Sequence, residues 1–410
     1  MNLIIIILCI LFFIGFHIKD KSLYHPVKLY MIVWGVLFFV YNLGWYPLPK
    51  INQNTYHIVL AGILSFTAGA LLTEVLYRKP KKVFKVERTS VINMMLVFFF
   101  ITMLVPFLNG LQLLFNGVDL HDIRYVYHDD IVGTGIGSVV FVYFSEPFLV
   151  FYLMYASVNI FHAKKPFKPI IFAFIGVFMM TVARGGRFYL LYLIFGILIA
   201  AMLYRKSTIS KRINRYVTLI TIVAFSSIVG VSIIRGADVG RTFYVYLSGS
   251  IPFLNHLIED NSGLPFTMGL YSLNGFIRPI FVILRFLGIM DLPIFMQVVE
   301  EISLQTDEAY SIMPGELYNS FTTLFYSMYI DGGLLGVAIG NFILSIVSMT
   351  SYKKLDKNNK SSVVFFLLMA VMLLLSFFRL LIVSYTYALA FVYVILCFKT
   401  RKIGIIEYGR

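Results

Sequence analysis

The sequence predicts an all-α polytopic membrane protein of about eleven transmembrane helices (roughly 10 to 12), with one large extracytoplasmic loop containing short helices. Three observations predict it. The 410 residues are 59% hydrophobic and only 13% charged, where a soluble domain is about a quarter charged. The charged residues gather between long apolar runs. In hydrocarbon every backbone N–H and C=O must be paired within its own segment, so such runs must be helices. The chain reads as a single integral membrane domain over residues 1–410.

The runs follow in order. Residues 2–18 come directly after Met1, with no basic leader and no small-residue cleavage site. They read as a retained span rather than a cleaved signal peptide. Further spans are expected at 27–46, 57–76, 91–111, 138–161, 169–183, 188–204, 216–234, 333–350, 362–383 and 384–398. The segments 169–183 and 384–398 are short for about 30 Å of hydrocarbon, which points to tilt, extension or partial re-entry. Two connecting segments are long, 112–137 and 235–332. A structureless loop of the second length is unusual, so it should contain helices and is the expected catalytic region. Within it, residues 276–290 (FIRPIFVILRFLGIM) are too short to span and suit an interfacial or re-entrant helix, with Pro279 at its start. Cys9 and Cys397 lie in apolar runs and signal neither a disulfide framework nor a metal site.

The net charge of +14 is a topology signal rather than a nucleic-acid signal. One set of segments holds Lys19, Lys21 and Lys28, then Arg78 to Arg88, Lys164 to Lys168, Arg205 to Arg215, Lys353 to Lys360 and the tail from Lys399. That set carries 25 of the 34 basic residues and a net +20; the other carries nine basic residues and a net −6. The positive-inside rule makes the first set cytoplasmic, with the amino terminus outside and the carboxyl terminus inside. The lysine clusters themselves read as membrane anchors.

Any chemistry is expected outside. The longest internal cytoplasmic segment, 77–90, is too short for a nucleotide-sugar domain, and there is no GxxxxGK[ST] loop. No metal ligand spacing and no cofactor motif is present. An extracytoplasmic synthetic reaction has no ATP, so its donor must arrive activated, and a lipid-linked pyrophosphate fits. The outer basic residues match that donor. Eight of the nine are arginine, while 18 of the 25 cytoplasmic ones are lysine. A guanidinium binds phosphate oxygens through paired hydrogen bonds and keeps its charge in a partly dry site. Arg184 and Arg187 flank two glycines, Arg235 and Arg241 follow a run directly, and Arg278 and Arg285 are seven apart and share a helix face. These six are the candidate pyrophosphate ligands; Arg379 is a weaker member. Each, taken singly, can also be an arginine snorkelling to headgroups.

A glycosyl transfer needs a base for the acceptor hydroxyl. The candidates on the outer side are Glu316, His256, Asp238 and Asp331, of which Glu316 and His256 lead and Asp331 fits better as an N-cap before Gly332 and Gly333, with Glu146 as a cavity-facing outsider. Tyr244, Tyr246, Tyr310, Tyr318, Tyr326 and Tyr329 are either interface-belt residues or sugar-stacking rings.

Three stretches carry a resemblance: the ARGGR turn at 183–187, GRTFYVYLSGSIPFLNHL at 240–257, and NSFTTLFYSMYIDGGLLG at 319–336. With the topology, they make the chain resemble the Wzy-type O-antigen and capsular polysaccharide polymerases. Family members often have phenylalanine where Gly332 stands. The resemblance implies a lipid-linked substrate, functional outer-loop arginines (Arg184, Arg187, Arg235 and Arg241 by position) and no metal. The expected function is a glycosyltransferase of the bacterial cytoplasmic membrane. It would join polyprenyl-pyrophosphate-linked oligosaccharides into lipopolysaccharide O-antigen or capsule. Membrane lipids, a flippase and a chain-length regulator are the expected partners, and nucleic acid is not. An O-antigen ligase using the same donor, a flippase and a non-catalytic scaffold are the alternatives. Transport is disfavoured because charges are almost absent from mid-span positions.

Overall fold

The computed structural model describes residues 1–78, 85–118, 136–162, 167–186, 188–204, 239–260, 263, 265–307, 310–313, 316–318 and 321–400. The chain is nearly all helical. It opens with α1 (Asn2–Lys19), α2 (Pro26–Leu43) and α3 (Gln53–Leu76), followed by the short strand β1 (Lys85–Glu87) and α4 (Thr89–Phe115). Next, α5 (Ile136–Val140), a π-helical turn (Phe141–Ser145) and α6 (Glu146–His162) run on without a gap, before α7 (Phe167–Arg184) and α8 (Phe188–Tyr204). Between residues 239 and 318 lie four helices, α9 (Val239–Ser248), α10 (Ser250–Asp260), α11 (Asn274–Phe286) and α12 (Ile294–Asp307), and a hairpin of β2 (Tyr310–Met313) and β3 (Glu316–Tyr318). The chain continues through α13 (Thr323–Lys353), α14 (Lys360–Leu374), α15 (Tyr385–Cys397) and β4 (Phe398–Thr400), which pairs antiparallel with β1.

Among the described residues six helices are long and apolar enough to cross a membrane: α1, α2, α3, α4, the π-turn with α6, and α13. Helices α8, α14 and α15 are apolar but shorter. The expected span at 216–234 lies outside the described residues.

Two compact units form. One takes in Met1–Arg78, Phe225–Lys353 and Met369–Tyr385, the other Lys79–Ala224, Lys354–Leu368 and Thr386–Arg410. The first is built on α3 against α13. Gly69 lets the backbones meet, since a Cβ there would lie 2.6 Å from the Phe342 carbonyl oxygen. Tyr30 stacks on Phe66 at 4.0 Å and donates to Asn341 Oδ1 at 2.8 Å, so the buried hydroxyl is satisfied. At one end, the fully buried Lys28 donates to the carbonyls of Asp20 and Ser22. Burial beside it holds His25 neutral, with its pKa pulled down to about 4. In the second unit α6 is buried on all sides. Lys360 joins Glu87 and Asn159 Oδ1, each at 2.7 Å.

Three expectations are corrected. Helix α14 stops at Leu374 rather than continuing to 383, because the chain turns there to meet α13: Thr323 N–H donates to Phe378 O at 3.0 Å and Leu324 N–H to Ser376 O at 2.8 Å. Pro279 sits inside α11 rather than at its start, because the Leu273 carbonyl already accepts from Phe276 and Ile277 and begins the helix early. Helical structure also begins at Thr323, ten residues before the expected 333–350 span, and breaks at Gly332 and Gly333, where Gly333 has φ +60°. Asp331 therefore does not simply open a helix. Its carboxylate accepts from Thr267 Oγ1 at 2.5 Å and from the N–H groups of Tyr271 and Ser272 at 3.1 Å. It fastens the loop before α11 to the break in α13.

Removing that carboxylate leaves two backbone donors without an acceptor, at about 1–3 kcal/mol each. Asp331→Ala should therefore lower the melting temperature of the purified protein and speed protease cleavage within 265–273, with Asp331→Asn intermediate.

Candidate functional site

The two units hold different candidates. In the second unit, Arg184 is the last residue of α7. Gly185 (φ +63°) ends that helix in a left-handed cap, its N–H donating to Thr181 O at 2.8 Å. The helix end is seated against α4, where a Cβ on Gly110 would lie 2.5 Å from Val182 O. The guanidinium donates from Nε to Glu146 Oε1 at 2.6 Å, and its Nη2 contacts the same oxygen. The other carboxylate oxygen accepts from Thr386 Oγ1 at 2.9 Å. Glu146 is only 3% exposed and follows directly on the π-turn. The Phe141 ring of that turn lies 5.4 Å from the guanidinium carbon. A π-turn widens a helix by one residue and often marks a functional position; here it precedes the carboxylate that aims Arg184. Arg187 lies outside the described residues.

In the first unit, α10 is pinned to the start of α3. Asn255 Oδ1 accepts from Asn52 N–H at 2.8 Å and Thr55 Oγ1 at 2.9 Å, and Asn52 Nδ2 donates to Glu259 at 2.9 Å. This fixes His256 one residue on. Its ring stacks on Tyr310 with centroids 3.5 Å apart, and Nε2 lies 3.1 Å from Asp260 Oδ2. An imidazole held by a carboxylate is oriented. Glu316 opens β3, opposite Met313 in the hairpin.

The arginines of this unit differ in their partners. Arg278 is tied across to α12, with Nη2 2.6 Å from Glu300 Oε1, while Arg285 is exposed. Arg241 lies half-buried near the start of α9, and Arg379 sits in a backbone bridge with Thr323. Arg235 and Asp238 lie outside the described residues. Of the candidate stacking rings, Tyr244 and Tyr326 are buried, and burial pushes the Tyr244 hydroxyl pKa up. Tyr246 is 49% exposed and meets the edge of Phe321 at 5.3 Å. Among the described residues no group of three His, Cys, Asp or Glu side chains is placed to hold a metal ion.

Sequence reasoning placed Arg184 among the anion ligands but left Glu146 as an outsider, and it did not single out Thr386 or Asn255. The signal for Glu146 is an acid inside an apolar run, which needs a buried partner. Thr386 and Asn255 carry no such signal, because a lone hydroxyl or amide in an apolar stretch is common. Comparison of the chain with family models, with curated proteins and with solved structures finds no match in any of the three.

Breaking a buried ion pair from one side strands the other charge, at about 3–5 kcal/mol. Arg184→Ala should destabilise the protein by roughly that amount, and adding Glu146→Leu should recover most of it. Thermal unfolding of the two single variants and the double variant measures the coupling; additive losses would mean the pair is not coupled.

Proposed function

We propose that the protein is a glycosyltransferase that polymerises polyprenyl-pyrophosphate-linked oligosaccharide repeat units at the outer face of a bacterial cytoplasmic membrane. The observation that carries the reading is the selectivity for arginine: eight of the nine basic residues in one set of segments are arginine, against seven of 25 in the other. Headgroup anchoring alone has no need to discriminate, whereas paired donation to phosphate oxygens does. The resemblance to Wzy-type polymerases points the same way.

In the reaction, a hydroxyl oxygen of the incoming lipid-linked unit attacks the anomeric carbon of the growing chain's reducing-end sugar. The bond from that carbon to the pyrophosphate oxygen breaks. Polyprenyl pyrophosphate leaves with the electron pair. The hydroxyl proton passes to a base, for which Glu316 and His256 remain the candidates; Asp260 would orient the imidazole of His256. The cationic donors for the departing pyrophosphate are drawn from Arg184 and Arg187 in one unit or from Arg235, Arg241, Arg278 and Arg285 in the other. Glu146 positions Arg184, and Glu300 positions Arg278. Losing one such donor should cost about 3 kcal/mol of barrier, or roughly a hundredfold in rate.

Surface polysaccharide from a strain lacking the gene tests the reading. The deletion strain should carry a single capped repeat unit. Wild type should restore the ladder, and neither Arg241→Ala nor Arg241→Lys should do so. Complete loss of surface glycan would instead point to a ligase or a flippase. An unchanged ladder in the deletion strain would overturn the proposal.

A further inference from the structure

Helices α11 and α12 form a hairpin whose tip is apolar and uncovered. The turn is made at Gly288 (φ +68°), with its N–H donating to Arg285 O at 2.9 Å. Phe281 meets Phe295 across the hairpin at 5.6 Å, and Arg278 meets Glu300 at 2.6 Å, so two side-chain contacts join the helices. Ile280 beside the Phe281 contact, and Ile283, Phe286, Leu287, Ile289 and Ile294 beyond it, are exposed, Ile289 at 64% and Ile294 at 79%. A run of large apolar side chains at one tip marks an interaction surface rather than scattered exposure.

We infer that this tip docks into the lipid headgroup region of one leaflet. The hairpin's base is held against the backbone between two apolar helices. A Cβ on Gly275 would lie 2.3 Å from Ile382 O and 2.7 Å from Ser384 O, between α14 and α15. The base of the hairpin is thus anchored to residues 382–384 of the same unit. The tip's charge fits the same partner. Arg285 is exposed three residues before the turn at Gly288, where an arginine stem can lie along acyl chains while the guanidinium reaches a phosphate. Depth is limited on two counts. The 13 residues of α11 rise only about 20 Å, short of a roughly 30 Å core. Asp291, also exposed, stands at the turn and resists burial in hydrocarbon. The hairpin therefore lies at headgroup depth. The inference is independent of the polymerase reading and stands or falls without it.

Fluorescence quenching in the full-length protein tests it. Cys9 and Cys397 are buried, so Ile289→Cys, Ile294→Cys and Glu301→Cys can each be labelled with an environment-sensitive fluorophore, with the unsubstituted chain as the control for background. The variants are reconstituted in phosphatidylethanolamine and phosphatidylglycerol vesicles. Lipid bearing a shallow spin label should lower emission at 289 and 294 by about twofold or more, while aqueous iodide does little there. At 301, an exposed polar position on α12, the order should reverse. Iodide quenching at 289 and 294 equal to that at 301 would overturn the inference, because the tip would stand in water. Shielding of both positions from lipid and iodide alike would also overturn it, because a second copy or another protein would then cover the tip.

Discussion

A backbone N–H surrounded by apolar side chains must find an acceptor, and the described structure follows from how the chain meets that demand where helices stop. At the start of α13 the donors of Thr323 and Leu324 are taken by the carbonyls of Phe378 and Ser376, carbonyls that α14 has released by ending at Leu374. Two helix interruptions thus satisfy each other. Asp331 does the same for the loop before α11, and Gly275 permits that loop to approach the chain at 382–384. One junction in the first unit therefore fixes where α11 begins and how α13 is entered. The segment carrying Arg278 and Arg285 is held by pairing among irregular backbone.

Charge is organised with the same economy. Five ion pairs between described residues each stay within one of the two charge sets read from the sequence. Lys353 with Glu74 and Lys360 with Glu87 belong to the lysine-rich set; Arg184 with Glu146, Arg278 with Glu300 and His256 with Asp260 belong to the other. The pairs serve different ends. Lysine pairs at helix ends tie elements together, as Lys28 does through carbonyl oxygens. The Arg184 pair places a guanidinium beside the left-handed helix cap at Gly185. That placement costs desolvation of Glu146, a cost met by the Thr386 hydroxyl and the arginine together.

The helical class was legible because hydropathy forces it, and α1, α2, α4, α8 and α15 lie close to their expected bounds. The failures have a common cause. A run of apolar residues reports burial but not where backbone hydrogen bonding switches from the helix to another segment, so 362–383 read as one helix although it breaks after Leu374. The same limit hid the early start of α13, since residues 323–331 are buried except for Tyr329 and carry no charge to mark a boundary before Asp331. The candidate site was legible as a bias in residue type. Its pairings were not, because Glu146 lies 38 residues from Arg184 and Thr386 lies 240 from Glu146.

The account rests on the two charge sets facing opposite sides of the membrane, with the arginine-rich set outside. Cysteine labelling tests this most directly. Glu301→Cys and Asn358→Cys place thiols at exposed positions in the second and first sets respectively. A membrane-impermeant maleimide applied to intact spheroplasts should label position 301 and should reach 358 only after the membrane is opened. Labelling of 358 in sealed spheroplasts, with 301 protected until lysis, would invert the topology and remove the outer arginine site with it.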